Sequence, residues 1–296
     1  MKGRPKVGTA PINWNNDDLK DWAPEVPFPA ILDEMVAAGY EGTELGGNYP
    51  TDPAGLRIEL ERRGLALSGA YRWLPLLDPA ALDAEMPALD QLLERLAALD
   101  AHDVIVACRM DARRIALAGR VPADGSAGLS DDEWRTLVAS LTRVARRAAA
   151  KGIRTHYHNH AGSYVEMPAE VERFLGLLDP AVADLCFDAG HYAFGGGDPA
   201  DFVARHVDRI GYVHLKDVDP AVLARARAEG LGFLDALRVY VFCELGEGIA
   251  NVPSIVGTLL DHGYSGWLVV EQDTSRRPST ESARASREYL RQRCGL

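Results

Sequence analysis

Histidines and carboxylates are concentrated in four short segments in the second half of the chain. The segments read HYHNH, DAGH, HLKD and EQD, and they begin at residues 156, 188, 214 and 271. Each lies at the end of a run of apolar residues that is typical of a buried parallel strand. Such polar groups are costly to bury without partners. Together they are ligands for Mn, Co, Zn or Fe, and carboxylates also accept Mg. The pattern predicts one divalent metal site.

Three residues form the core of this predicted site: Asp188, His214 and Glu271. Considered alone, each residue could also have a purely structural role that requires no metal. The aspartate can cap the following segment, the histidine can be a hydrogen-bonded core residue, and the glutamate can pair with Lys216. The prediction therefore rests on the coincidence of four strand ends. The first segment leaves its ligand open, because alternate residues of a strand share one face; the candidates are His156, His158 and His160.

Eight alternations of a strand-like run with a helical run position these segments. The strand-like runs are residues 6–10, 40–45, 65–71, 103–108, 153–157, 182–187, 210–215 and 267–270. The helical runs are residues 29–39, 52–64, 82–99, 130–150, 169–178, 199–207, 252–262 and 281–291. Strict alternation demands a parallel sheet with right-handed crossovers. Eight steps predict a (β/α)8 TIM barrel, in which active sites lie where the strands end. A doubly wound open sheet is the alternative, but the first turn lacks the glycine-rich phosphate loop of that fold.

Length and composition predict a single domain over residues 1–296, with an extended loop at about 216–250 after the seventh strand. The net charge of -11 argues against a nucleic-acid or anionic-membrane partner. The four cysteines are widely spaced, which is typical of reduced thiols in a cytoplasmic protein. We find neither a signal peptide nor an apolar run long enough to cross a membrane, so we expect a cytoplasmic location.

Polar and aromatic residues also follow the early strands, and they are candidates for substrate binding: Asn13, Trp14, Glu44 and Trp73. An aromatic ring at a barrel mouth can stack against a sugar or cyclitol ring. Loop polarity and core packing are the alternative explanation for each of them.

Several motifs resemble the xylose isomerase-like TIM-barrel superfamily of sugar isomerases, epimerases and dehydratases, and within it the inosose dehydratases. They extend over nearly the whole chain: APINWNNDD, GYEGTELGGNYP, HYHNHAGSYVE, FDAGHYAFGGGDP, YVHLKDV, ELGEG and GYSGWLVVEQD. The resemblance implies one divalent metal ion, Mn or Co in first place, with Mg, Zn or Fe as alternatives. It implies ligands of the order Glu, Asp, His, Glu. The last three positions match the core named above, and His158 stands where many relatives have glutamate, with Glu166 as the alternative carboxylate.

The resemblance further implies that 2-keto-myo-inositol (scyllo-inosose) loses water through an enediolate, in inositol catabolism. The candidates for base and acid are His160, His191 and Lys216, in no fixed order. Beside a metal and other cations, the lysine is expected to have a pKa lowered toward neutrality, and an ion pair with Glu271 or Asp217 is the alternative. Glu44 is a candidate for holding substrate hydroxyls.

A sugar or keto-sugar isomerase/epimerase needs the same enediolate and is the alternative activity. An endonuclease-like barrel and a non-catalytic sugar-binding barrel are further alternatives, and the acidic charge argues against the first. We expect a small cyclitol or keto-sugar substrate as the partner. The helix surfaces of such barrels are compatible with a homodimer or homotetramer.

Overall fold

A closed barrel of eight parallel strands forms the centre of the computed structural model, which describes residues 3–296. Residues 1–2 of the predicted domain lie outside the described residues. The strands are β1 (Lys6–Thr9), β2 (Gly42–Glu44), β3 (Ala66–Leu74), β4 (Asp103–Cys108), β5 (Arg154–His158), β6 (Asp184–Asp188), β7 (Ile210–Leu215) and β10 (Trp267–Val270). Their order around the barrel is β1-β10-β7-β6-β5-β4-β3-β2. The predicted (β/α)8 TIM barrel is confirmed.

Helices surround the barrel, and their bounds follow local signals in the sequence. They are α1 (Phe28–Ala38), α2 (Pro53–Glu61), α3 (Pro79–Ala98), α4 (Ala112–Leu117), α5 (Asp131–Ala149), α6 (Pro168–Leu177), α7 (Ala189–Phe194), α8 (Pro199–His206), α9 (Pro220–Glu229), α10 (Phe233–Arg238), α11 (Val252–Asp261) and α12 (Ser279–Cys294). The capping box predicted at α5 is present, because Ser130 and Glu133 cap each other's backbone N–H groups. Gly39 ends α1 at φ 91°, a left-handed conformation that favours glycine.

Two differences between the observed and the predicted elements concern the length of β3 and the number of helices. Strand β3 continues to Leu74, because its pairing with β4 extends as far as Cys108. Trp73 therefore lies within the strand and not in the loop that we predicted after it. The short helices α4, α7 and α10 were not predicted, since six residues are too few to display a helical repeat of apolar positions.

The extended segment after β7 is compact. It contains α9 and α10 and a two-stranded antiparallel ribbon, formed by β8 (Asp217–Val218) and β9 (Phe242–Cys243). The buried Asp217 carboxylate accepts hydrogen bonds from the backbone N–H groups of Val218, Gly246, Gly248 and Ala250. One side chain thus links the HLKD motif to the ELGEG motif. None of the helices within residues 3–296 has the length and hydropathy needed to cross a membrane.

Candidate metal centre

Four buried side chains converge at the carboxyl ends of neighbouring strands: His158, Asp188, His214 and Glu271. The first three end or nearly end β5, β6 and β7, and Glu271 directly follows β10. His158 Nε2 lies 3.5 Å from Asp188 Oδ2, and His214 Nδ1 lies 3.3 Å from Glu271 Oε2. One potential ligand atom from each residue lies within 4.8 Å of the others. The residues that the sequence singled out are therefore brought together.

The donor set of this cluster fits a divalent cation. Both ring nitrogens of His158, Nδ1 of His214 and Oδ2 of Asp188 are buried and form no hydrogen bond. Burying such atoms without partners is unfavourable. A cation would satisfy the atoms that face one another here, and two imidazoles with two carboxylates are ligands that Mn, Co, Zn and Fe accept.

The protonation of these groups reflects their mutual contacts. Burial lowers the pKa of His158. Burial alone would raise the pKa of Asp188 and Glu271, but nearby positive groups, Lys216 foremost for Asp188 and His214 for Glu271, keep both pKa values below their ordinary range. Burial alone would lower the pKa of His214, yet the acidic groups around it hold that pKa well above its ordinary value. The cluster is thus a compact set of opposite charges.

The histidines at positions 156, 158 and 160 lie at different depths in the barrel. His156 and His158 lie on one face of β5, where alternate residues are separated by roughly 6.6 Å, and His160 follows the strand. His156 is the deepest, and its Nε2 lies 2.8 Å from Asp103 Oδ1. His158 is in the cluster, and His160 lines the cavity above it. Depth along the strand therefore selects His158 from the three candidates.

Glu166 is not brought to the cluster. Its Oε1 accepts from the Gly119 N–H at 2.6 Å, and its Oε2 accepts from the Gly162 N–H at 2.8 Å. The Arg114 guanidinium lies 3.8 Å away, and both side chains are fully buried. Burial raises the pKa of Glu166 to about 7. Its carboxylate joins two loops, and the structure offers no support for it as the alternative ligand.

Cys186 is a neighbour of the cluster that we had interpreted only as a packed thiol. Its Sγ forms a second group of potential ligand atoms with His158 and His214. It lies two residues before Asp188 on β6 and so shares its face. Burial raises the pKa of this thiol to about 12, which favours its protonated form.

Lys216 lies beside the cluster, and its surroundings differ from our expectation. Its Nζ is 2.7 Å from Asp273 Oδ1, 3.0 Å from Glu271 Oε2 and 3.5 Å from Asp188 Oδ2. Burial alone would lower its pKa, but these three carboxylates hold the pKa well above its ordinary value. We expected a pKa lowered toward neutrality beside a metal and other cations, and the three carboxylates act in the opposite direction. Of the three, only Glu271 had been considered as a partner of Lys216.

His191 lies behind the other two candidates for base and acid. Its Nε2 is 3.2 Å from Lys216 Nζ, its Nδ1 accepts from the Ala161 N–H at 3.3 Å, and its ring centroid lies 3.8 Å from that of His160. His160 and Lys216 line the cavity, whereas His191 is not among the residues that line it. Burial lowers the pKa of His160 and of His191 well below the ordinary value.

A cavity of about 860 Å³ opens above the cluster, with His158 and Glu271 among its lining residues. Trp73 forms part of its wall and contacts the His160 ring edge-to-face at 4.6 Å between centroids. Trp14 also lines the cavity, while its ring N–H donates to Glu34 and is committed to that contact. Two of the predicted substrate-binding residues therefore face the cavity with aromatic surface.

Asn13 and Glu44 form hydrogen bonds within the protein. Asn13 donates from Nδ2 to Thr9 Oγ1 at 3.0 Å and accepts from the Gln272 N–H at 2.9 Å, so it ties β1 to the segment after β10. It is not among the residues that line the cavity. Glu44 lines the cavity, but its Oε1 is 2.8 Å from His214 Nε2. The prediction that these two residues hold substrate did not take these contacts into account, because they join strands that are distant in sequence.

Two acidic residues near the cluster were missed. Burial raises the pKa of Asp273 to about 7 and that of Asp18 to about 6. Asp273 pairs with Lys216, and Asp18 lines the cavity. Both lie in motifs that we had singled out, EQD and APINWNNDD, so position in those motifs was the available signal.

The sequence pattern of the xylose isomerase-like TIM barrel family matches residues 32–293. The chain belongs to the xylose isomerase-like TIM barrel family. It is 33% identical over 302 residues to an inosose dehydratase of Klebsiella pneumoniae, covering 100% of this chain and 99% of that protein. It is 38% identical over 287 residues to the rhizopine catabolism protein MocC of Rhizobium meliloti, covering 96% and 87%.

Within the xylose isomerase-like family, full-length relatives of this kind identify the chain as an enzyme of the inosose dehydratase-like group, a group of hydro-lyases. Among solved structures, the IOLI protein, whose crystal structure contains a zinc atom, superposes with a TM-score of 0.72 at 12% identity. That match covers 97% of each chain and establishes the shared fold.

Proposed function

We propose that this protein is a metal-dependent dehydratase that removes water from 2-keto-myo-inositol in inositol catabolism. The observation that carries the proposal is the convergence of four buried ligand residues, with unpartnered atoms facing one another, below a cavity. Full-length relatives named inosose dehydratase support the substrate. We propose Mn or Co as the metal, with Mg, Zn or Fe as alternatives, and the zinc bound by the structurally similar IOLI protein supports a metal in this fold.

A divalent cation held by His158, Asp188, His214 and Glu271 would supply Lewis acidity toward substrate oxygens, which makes the C–H bond beside a ketone more acidic. The chain's own residues then supply proton transfer. His160 Nδ1 lies 2.6 Å from the Ala161 carbonyl and donates to it, which leaves Nε2 as the ring nitrogen that can accept a proton. We assign His160 as the base that removes the C–H proton.

Lys216 is assigned as the acid. Its ammonium group contacts three carboxylates and lines the cavity. A proton given to the β-hydroxyl lets it leave as water, while the electron pair of the broken C–H bond forms the new double bond. His191 Nε2 lies 3.2 Å from Lys216 Nζ, and its ring packs against that of His160, so we propose that His191 orients both of them.

The proposal is tested by removing metal with a chelator, reloading the protein with Mn, Co or Zn, and adding scyllo-inosose. We expect a metal-dependent rise in the ultraviolet absorbance of the dione product, and no rise with the metal-free protein. If scyllo-inosose is untouched while keto-sugars epimerise, the activity is the epimerase alternative and the dehydratase proposal fails.

The two proton-transfer roles can be separated with deuterium. In D2O, wild type and Lys216→Met should exchange the substrate C–H proton, whereas His160→Gln should not. Exchange that survives His160→Gln and is lost in Lys216→Met would reverse the assignment.

The substrate partner is proposed to be a cyclitol ketone, and we propose a cytoplasmic location. The four cysteines are free thiols in the described chain, which is typical of a reducing compartment.

A further inference from the structure

Glu44 forms a hydrogen bond across the barrel interior to one of the cluster histidines. It is the last residue of β2, and His214 lies on β7, which is not adjacent to β2 in the barrel. Glu44 Oε1 is 2.8 Å from His214 Nε2, and both side chains are buried. The contact therefore connects two sides of the barrel below the cavity.

A local irregularity of the strand accompanies this contact. The pairing of β2 with β3 shifts register between Thr43 and Glu44, so that Thr43 pairs with Leu67 and Glu44 with Gly69. Such bulges re-aim a side chain and are common beside active sites. The Thr43 hydroxyl donates to the Glu44 carbonyl at 2.7 Å and lies 2.9 Å from the Tyr49 hydroxyl, which holds the bulged backbone.

In a neutral His214 ring, which is the form that can ligate a metal, the bond decides which ring nitrogen carries hydrogen. A carboxylate can only accept, so Nε2 must donate to Glu44. The lone pair of the neutral ring is then on Nδ1, the nitrogen that lies 3.3 Å from Glu271 Oε2 and 3.9 Å from Asp188 Oδ2. Nδ1 is also the atom of His214 that is buried without a hydrogen bond.

We infer that Glu44 is a positioning residue for the metal centre, which holds His214 in the tautomer and orientation that present Nδ1 to the cation. The inference rests on the proposed function, because it assumes the metal site. Carboxylates that accept from the second ring nitrogen of a ligating histidine commonly contribute 10–100-fold to metal affinity. This inference gives Glu44, the second glutamate of the GYEGTELGG motif, a role other than holding substrate hydroxyls.

The chain offers a matched control. Asp103 and His156 form a second buried carboxylate–imidazole pair of the same 2.8 Å length, away from the cluster. Asp103→Asn therefore disturbs the same kind of bond without touching a proposed ligand. Glu44→Gln keeps the shape of the side chain and an oxygen that can accept, whereas Glu44→Ala removes the acceptor.

The experiment measures the Kd of the purified full chain for Co2+ by calorimetry, together with the visible absorption spectrum of bound Co2+. We expect Glu44→Ala to weaken Co2+ binding about 10–100-fold and to alter the spectrum. Glu44→Gln should weaken it less, and Asp103→Asn should leave both readouts within about twofold of wild type while lowering the melting temperature.

An unchanged Kd and spectrum in Glu44→Ala would overturn the inference, as would equal losses in Glu44→Ala and Asp103→Asn, since these would reflect destabilisation alone. If Glu44→Ala does not fold, Glu44→Leu, which also removes the acceptor, decides, and a wild-type Kd and spectrum in that variant overturn the inference. A wild-type protein that binds no divalent metal would instead refute the proposed function, so the two failures are distinguishable.

Discussion

Two buried carboxylate–imidazole pairs lie inside the barrel, one at each of two depths. Glu44 with His214 lies at the carboxyl ends of the strands, and Asp103 with His156 lies deeper, where β4 begins. Each pair has an oxygen–nitrogen distance of 2.8 Å. The two histidines differ in the surroundings of their second ring nitrogen. That of His214 faces two further carboxylates, whereas His156 belongs to no group of potential metal ligands within residues 3–296.

The difference shows that a buried carboxylate–imidazole pair does not by itself form a metal site. In the deeper pair, Asp103 Oδ1 also lies 2.9 Å from the Arg154 guanidinium. The His156 ring packs against the Tyr212 ring, with 5.7 Å between the ring centroids. The deeper pair therefore belongs to the packed base of the barrel. The upper pair is placed where four strand ends converge, so the same hydrogen bond there can orient a ligand. This agrees with the general location of active sites in this fold.

The largest effect on metal binding is expected when a proposed ligand at the upper depth is removed. Asp188→Asn should weaken metal binding by more than about 100-fold, beyond the range typical of outer partners of a ligand. An asparagine oxygen can still accept from the His191 N–H and so preserve the cap of α7. Metal content and dehydratase activity should fall together in this variant, whereas Asp103→Asn should keep both. Near-normal metal content in Asp188→Asn would remove Asp188 from the ligand set.

Glu166 is a third buried carboxylate, and it differs from those of the two pairs because it has no imidazole partner. Burial raises the pKa of Glu166 to about 7 from an ordinary 4.5. The folded protein therefore binds this proton more tightly than the unfolded chain does. Stability from Glu166 is complete below about pH 4.5 and is lost as pH rises through 7.

The free energy of unfolding of wild type should thus decline relative to Glu166→Gln, by at most about 3 kcal/mol between pH 4.5 and 8. Urea titrations of both proteins across this range measure the difference. A difference that is constant with pH would show that the carboxyl group titrates normally. Metal affinity should be similar in both proteins, because Glu166 lies outside the cluster.

The smallest effect compares two glycines, one near each depth. A Cβ at Gly190 would lie 2.5 Å from Lys216 Cγ, and a Cβ at Gly211 would lie 2.6 Å from His156 Cε1. Each substitution by alanine overpacks the interior and should cost about 1–3 kcal/mol of stability.

Only Gly190→Ala should also reduce dehydratase activity, because it displaces the proposed acid. Thermal unfolding and kcat on scyllo-inosose test this pair. Equal activity losses in the two variants would mean that activity follows stability alone and would argue against a specific role for the position of Lys216.

Much of the fold could be predicted because its signals are local. The bounds of β4, β7 and β10 were predicted correctly from apolar runs of limited length, and the start of α5 from its capping box. The short helices and the end of β3 could not be predicted, because they depend on neighbouring strands and on the turns that follow the strands.

For the site, the residue types and the strand ends were sufficient to bring Asp188, His214 and Glu271 together as candidates. Alternation along a strand could assign His156, His158 and His160 to one face but not to a depth. Depth, and with it the selection of His158, depends on how the strands stagger around the closed barrel.

The amino-acid sequence by itself determined the barrel class and the strand ends that carry imidazole and carboxylate groups, because periodicity, caps and residue chemistry act over short distances along the chain. Only the tertiary structure decided that Glu44 contacts His214, that Asp273 pairs with Lys216, and that Glu166 joins two loops away from the cluster. The physical reason is that a buried polar group takes whichever partner the closed barrel places within hydrogen-bonding distance, and these partners lie far apart in sequence.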